Sequence, residues 1–208
     1  MSGANVSPIG RNNQIMSREA MPRAVVTGIG AITPIGCTAP EFTDSIFSVR
    51  TGFSPITRNS MDGYSASDPH PEGRGALAAM RSALASAGKS PSGISAVSAH
   101  GTSTPKNDPA ECAAILGLFG PRAPEVPVFA TKSMIGHLIS AAGAVEVIAA
   151  IQCLRRQELH PTANLADPAE ECQLNHVVGR PRVVRLEHIL KNSFAFGGQN
   201  ACLVVSRA

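Results

Sequence analysis

Apolar positions switch between two rhythms along the chain. Residues 23–32, RAVVTGIGAI, read as a short strand that breaks into a turn at Gly28 and Gly30. Residues 39–50 read as a helix with Phe42, Ile46 and Val49 on one face. Residues 52–73 lose all period; Ser, Asp, Pro and Gly dominate, as in a loop or junction. From Gly73 to Gly88 the helical rhythm returns, with Leu77, Met80 and Leu84 on one stripe and Gly88 as the C-cap. ISAVSAH, residues 94–100, is a short apolar strand. DPAE, residues 108–111, then reads as a helix start: Asp108 as N-cap, Pro109 at the first helical position and Glu111 completing a capping box. VPVFA, residues 126–130, is the next strand. One long helix is expected from about Ile135 to Arg156, apolar nearly all round and so buried between layers. HVVGRPRVV, residues 176–184, is a strand interrupted by Gly179 and Pro181. HILKNSFAF (188–196) and NACLVVS (200–206) are two strands around Gly197-Gly198. Strands alternating with helices, then closing strands, predict an α/β fold of mixed sheet and helices.

Composition narrows what such a fold does. The 208 residues are 43% hydrophobic and 16% charged, enough to bury a core. With no Trp, one Tyr and a net charge of +3, the composition argues for neither a base-stacking platform nor a basic groove, so nucleic acid is not an expected partner. The five cysteines (Cys37, Cys112, Cys153, Cys172 and Cys202) form no CxxC pair, and the six histidines have no HExxH spacing. Neither a disulfide framework nor a metal site is expected. The GxG of residues 28–30 lacks a third glycine and meets Pro34, which favours a turn over a dinucleotide loop. The run from 135 to 154 carries Gly136, Gly143, Glu146 and Gln152, which suits a buried helix better than a membrane span. Residues 1–21 are polar and lack a signal-peptide core, so a disordered N-terminal tail on a cytoplasmic protein is expected.

Three polar elements fall just beyond strand ends, where α/β proteins commonly keep their sites. These are His100, Lys132 and the turn Phe196-Gly197-Gly198. His137 stands at the entrance of the expected long helix, whose positive end disfavours a charged imidazole. Two neutral histidines aimed at one point could hold a carbonyl oxygen that becomes an enolate. Glu146 inside an apolar helix needs a partner if ionised, and Lys132 is the candidate. From the residues alone, plainer roles stand beside these. His100 and His137 could be loop residues, Glu146 could face a solvent gap, and Thr102 and Thr104 could bind their own backbone in a turn.

HGTSTPKNDPAE, TKSMIGHLISAAGAVE, PTANL and NSFAFGGQN, in this order, resemble the C-terminal half of β-ketoacyl-[acyl-carrier-protein] synthases. The likeness is closest to the type II elongating branch of these thiolase-like condensing enzymes. AVVTGIGAITPIG is similar to their N-terminus, and the likeness covers most of residues 22–58 and 66–206. The resemblance implies a thiolase-like layered fold and a decarboxylative Claisen condensation of acyl and malonyl thioesters in fatty-acid or polyketide synthesis. It implies that His100 and His137 bind the malonyl thioester carbonyl and promote decarboxylation, with Lys132 organising the site and Glu146 as its carboxylate partner. Thr102 and Thr104 would contact the phosphopantetheine arm. Phe196 would be a gating side chain whose backbone N–H helps form an oxyanion hole in the turn with Gly197 and Gly198. No metal or nucleotide cofactor is implied; the substrates ride on acyl carrier protein, the expected partner.

The family's nucleophilic cysteine, in a turn at a helix N-terminus, has no counterpart here. The likeness passes from TGFSPITR almost directly to the C-terminal half, so an internal block is expected to be missing near residues 58–70. Cys112, Cys153 and Cys202 read as core residues and Cys172 as part of an acidic loop; Cys37 is not at the aligned position. The expected organisation is a tail at 1–21, a remnant of the N-terminal half at 22–58, a junction loop at 59–73 and the C-terminal half at 74–208. A fold built from one near-complete half, with an orphan strand and helix from the other, leaves the long helix without cover on one side. Exposed apolar surface is therefore expected, and with it a homodimer, an intact-synthase partner or aggregation. Competing readings of function are condensation, a non-catalytic partner of the chain-length-factor type, and a residual malonyl decarboxylase.

Overall fold

The computed structural model describes the backbone of Ala24–Ile32 and residues 64–207. The expected tail, the helix at 39–50, Cys37 and the first part of the junction lie outside the described residues. Eight strands and four α-helices are present among the described residues: β1 Ala24–Ile32, α1 Arg74–Ser86, β2 Ala96–Ser98, α2 Asn107–Phe119, β3 Pro127–Phe129, α3 Lys132–Ile135, α4 Ala142–Arg156, β4 Glu158–Leu159, β5 Asn175–His176, β6 Arg182–Val183, β7 His188–Ala195 and β8 Gln199–Arg207. Six strands form one sheet in the order β1-β8-β7-β2-β3-β5, and β4 pairs with β6 apart from it. β7, β2, β3 and β5 run parallel, whereas β8 is antiparallel to both β7 and β1.

Alternation along the strands assigns each residue to a face. Val97, Leu190 and Val204 join Met80 and Ala83 of α1 and Ile115 and Phe119 of α2. Ala96, Ile189 and Val205 join Ala150, Cys153 and Leu154 of α4. The result is three layers, helices on both faces of a mixed sheet, as the α/β pattern predicted. Each fully buried Met, Ile, Leu or Phe here contributes roughly 1.5–3 kcal/mol of apolar burial.

Several expected elements differ in detail. Gly28 and Gly30 do not open a turn; β1 runs through both, with a register irregularity between Val26 and Gly28. Pairing with β8 supplies the partner that keeps this stretch extended. α1 ends as expected. Gly88 at φ +61° closes it, with Gly88 N–H bonding Ala85 O and Lys89 N–H bonding Leu84 O. The capping box at α2 does not form: the helix begins at Asn107, one residue before Asp108, and Thr104 Oγ1 accepts the Asn107 N–H at 3.3 Å. Asp108 Oδ1 instead accepts from Ser103 N–H at 3.2 Å, and the Glu111 side chain turns inward.

The long helix is broken. α3 stops at Ile135, Gly136 takes φ +75°, a 3-10 turn covers Ile139–Ala141, and α4 begins only at Ala142. Nor is α4 buried all round. Its inward stripe is Ala142, Glu146, Ala150, Cys153 and Leu154, one face at helical spacing. Ile148 on the other side is exposed, as are Met134, Ile135, Leu138 and Ile139 before it. The sheet covers only one side of the helix, and the expected apolar surface is present there.

Candidate active site

The sheet brings the site together before any side chain is considered. β2 is flanked by β7 and β3, all parallel, so the segments after their C-terminal ends lie side by side. His100 follows β2, Lys132 follows β3 and Phe196 follows β7. Chain order reverses at β2, which makes this edge a switch point of the sheet. Gly101 is required for the sharp exit from β2. It sits at φ +50°, and a Cβ there would lie 2.7 Å from Ala130 Cβ.

His100 is buried and bracketed by two carboxylates. Glu111, from α2, accepts the backbone N–H of His100 at 2.8 Å and of Gly101 at 2.9 Å. Asn192 of β7 adds a bond from Nδ2 to Glu111 Oε1 at 2.9 Å. On the other side, Lys132 Nζ donates to Glu146 Oε1 at 2.5 Å and to the His100 carbonyl at 2.6 Å. It also lies 3.0 Å from His100 Nδ1. An ammonium has only donors, so Nδ1 must accept and the ring proton must be on Nε2. Burial, then the Lys132 and Lys191 charges, lower the His100 pKa to about 3, so the ring is neutral.

His137 reaches the same place by a different route from the one expected. It lies in the irregular stretch between α3 and α4, five positions before α4 begins. The field of a helix end fades within a turn, so α4 does not govern this ring. The Ile139 N–H donates to His137 Nδ1 at 3.1 Å, which places the proton of the neutral ring on Nε2. The two imidazoles meet edge to face with centroids 5.4 Å apart. Phe194 packs on His100 at 5.6 Å.

The loop after His100 holds Thr102 and Thr104 with hydroxyls 2.8 Å apart. PTANL is tied to the junction of β3 and α3: Ala130 N–H donates to Thr162 Oγ1 and Ala163 N–H to Ser133 Oγ. A mainly apolar cavity of about 630 Å³ opens between these segments, with Thr102, Thr104, Lys132 and His137 in its wall. The turn after β7 puts Gly197 at φ +74° and Gly198 at φ +75°, and Gly197 N–H donates to Ala66 O at 2.9 Å. The Phe196 ring is 77% exposed.

Sequence reasoning paired Glu146 with Lys132, and the two meet. It missed Lys191 of β7, which ion-pairs with the other Glu146 oxygen. It also missed the role of Glu111. A lysine inside the apolar strand HILKNSF was the available signal, because a cation there needs a buried carboxylate. Cys112, Cys153, Cys172 and Cys202 are free and buried, Cys172 included despite its acidic surroundings. Burial raises all four pKa values, so these thiols stay protonated and are poor nucleophiles. Among the described residues no three His, Cys, Asp or Glu side chains group to hold a metal ion. No helix there is long and apolar enough to cross a membrane.

The profile of the beta-ketoacyl synthase, C-terminal domain, matches residues 56–166. The chain belongs to the beta-ketoacyl synthase family. Among its relatives, 3-oxoacyl-[acyl-carrier-protein] synthase 2 of Coxiella burnetii is 41% identical over 148 residues, covering 71% of this chain and 36% of that protein. The chloroplastic synthase II of Arabidopsis thaliana is 43% identical over 145 residues, covering 69% of this chain and 26% of that protein. The chain thus spans about a third or less of the length of these curated relatives. A solved ketosynthase in complex with its type II polyketide acyl-carrier protein and bound to a hexaketide aligns with a TM-score of 0.74. It is 26% identical, with 89% of this chain and 38% of that one covered. The ishigamide ketosynthase/chain length factor aligns with a TM-score of 0.70 at 29% identity, over 88% of this chain and 38% of that one. These ketosynthases share the layered α/β fold described above.

Proposed function

We propose that this chain carries the decarboxylating part of a β-ketoacyl synthase site and does not by itself complete the condensation. The observation that carries the reading is the proton placement on the two histidines. Each Nδ1 is already occupied as an acceptor, so each neutral ring offers Nε2–H. Two such donors suit a thioester carbonyl that becomes an enolate. The bond between the malonyl carboxylate and the α-carbon breaks, carbon dioxide leaves, and the electron pair moves into the enolate. Without an acyl acceptor, the enolate takes a proton and becomes an acetyl thioester.

Thr102 and Thr104 would contact a phosphopantetheine arm from acyl carrier protein, and Phe196 with Gly197 and Gly198 would form the gating turn. This chemistry requires no metal or nucleotide. Condensation needs an acyl-cysteine intermediate, and the four described thiols are buried and protonated. An internal block carrying the nucleophile is missing in this reading.

The test is carbon dioxide release from malonyl-labelled acyl carrier protein. The chain should release it without forming 3-oxoacyl product. His100→Ala and His137→Ala should each lower release by roughly 10²-fold or more, as expected for lost hydrogen-bond donors at a developing oxyanion. A 3-oxoacyl product, with one cysteine labelled by an acyl donor, would overturn the reading. A second reading is a non-catalytic partner of an intact synthase, which the exposed row Met134, Ile135, Leu138, Ile139 and Ile148 favours. Co-purification with a full-length synthase would support it, and a soluble, inert monomer would count against it.

A further inference from the structure

Lys191 is a buried cation with no part in the chemistry above. Its residue is 1% exposed in the middle of β7. Its Nζ meets Glu146 Oε2, the backbone carbonyl of Asn192, and Ser193 Oγ at 2.8 Å. Two hydrogen bonds and one ion pair thus hold the ammonium. Its neighbour Asn192 points to the opposite face of the sheet and binds Glu111. Two consecutive residues of one strand therefore hold the two carboxylates that bracket His100.

Charge balance gives this arrangement a consequence. The titratable groups around the imidazole are Glu111 from α2, Lys132 from α3, Glu146 from α4, Lys191 from β7 and His137 from the segment between α3 and α4. Both ammoniums pair with Glu146, while Glu111 accepts three N–H bonds as a carboxylate, so two carboxylates and two ammoniums sum to zero. A proton on His100 would then be an uncompensated buried charge. Without Lys191 the cluster would be one negative charge in excess, and a protonated ring would neutralise it. We propose that Lys191 is a positioning residue that supplies the balancing charge for the second carboxylate and so keeps His100 neutral with its proton on Nε2. This rests on the decarboxylation reading for its purpose, but not for its test.

The test is nitrogen-15 NMR of histidine-labelled full chain, with the His100 signal assigned by its loss in His100→Asn. In the unsubstituted chain, His100 should keep the neutral Nε2–H signature at every pH at which the protein stays folded. In Lys191→Met, which retains the stem volume, an imidazolium signature should appear within that range. The double variant Lys191→Met with Glu146→Gln restores balance, and its His100 should return to the neutral signature. That variant replaces a buried pair by neutral groups of similar size, a change folds often tolerate, so it remains readable if the single variant does not fold. Persistence of the neutral signature throughout the folded range of Lys191→Met would overturn the proposal. So would an imidazolium signature in the double variant. Both readouts come from the free protein, so failure here leaves carbon dioxide release to judge the decarboxylation reading on its own.

Discussion

Burial, with the Lys132 and Lys191 ammoniums next, holds the His100 imidazole near 3 when its ordinary value is 6.5. Between those values the unfolded chain binds a proton that the folded chain refuses. Stability from this group is therefore complete above about pH 6.5 and is lost as pH falls toward 3, by up to about 1.4 kcal/mol per pH unit. Burial lowers His160 too, which adds in the same direction. The urea midpoint should drop between pH 7 and pH 5, and His100→Asn should flatten that drop. Glu111 acts on the same residue through the backbone. Glu111→Ala strands the His100 and Gly101 N–H groups and Asn192 Nδ2, so a loss of about 2–4 kcal/mol is expected by denaturant titration. At this scale the pairing of Lys132 with Glu146 was legible, because a carboxylate in an apolar run demands a cation. Glu111 was read as a cap, since DPAE fits that role locally. Only the fold brings the end of β2 within reach of its carboxylate.

The elements show where local signals suffice and where packing intervenes. α1 was readable from its stripe and from Gly88, and both ends are glycines at positive φ. Their surroundings differ. A Cβ on Gly88 meets nothing within 4 Å, whereas one on Gly73 would lie 2.1 Å from the Ala110 carbonyl oxygen and 2.8 Å from Ala114 Cβ. Gly88→Ala should cost about 1 kcal/mol, the backbone term alone. Gly73→Ala must also push α1 off α2 and should cost at least about 2 kcal/mol more, read by thermal or urea unfolding. The break between α3 and α4 was not legible. Mostly apolar residues continue through 134–142, and only Gly136 hints at a stop. The interruption matters because it leaves the Ile139 N–H, at the start of the 3-10 turn, to fix the His137 ring.

Across the whole molecule the three layers followed from the alternation of strands and helices, and the uncovered side of α4 followed from the short likeness to the synthases' N-terminal half. Ile139, 74% exposed, and Ile148 are the prominent apolar positions there. Ile139→Lys together with Ile148→Lys should lower self-association in sedimentation and reduce binding of a hydrophobic dye. Neither side chain is in the core, so the melting temperature should change little. The pairing of β1 with β8 has another consequence, for the order of assembly. Ala24 lies opposite Arg207, so this edge joins residues separated by almost the entire chain. Such contacts form late, because the intervening chain must first be ordered. On the ribosome, at about 5–20 residues per second, β1 waits roughly ten seconds or more for its partner strand to be made. During that interval β1 presents unpaired backbone, and chaperones that hold extended apolar segments have their opportunity then rather than after folding.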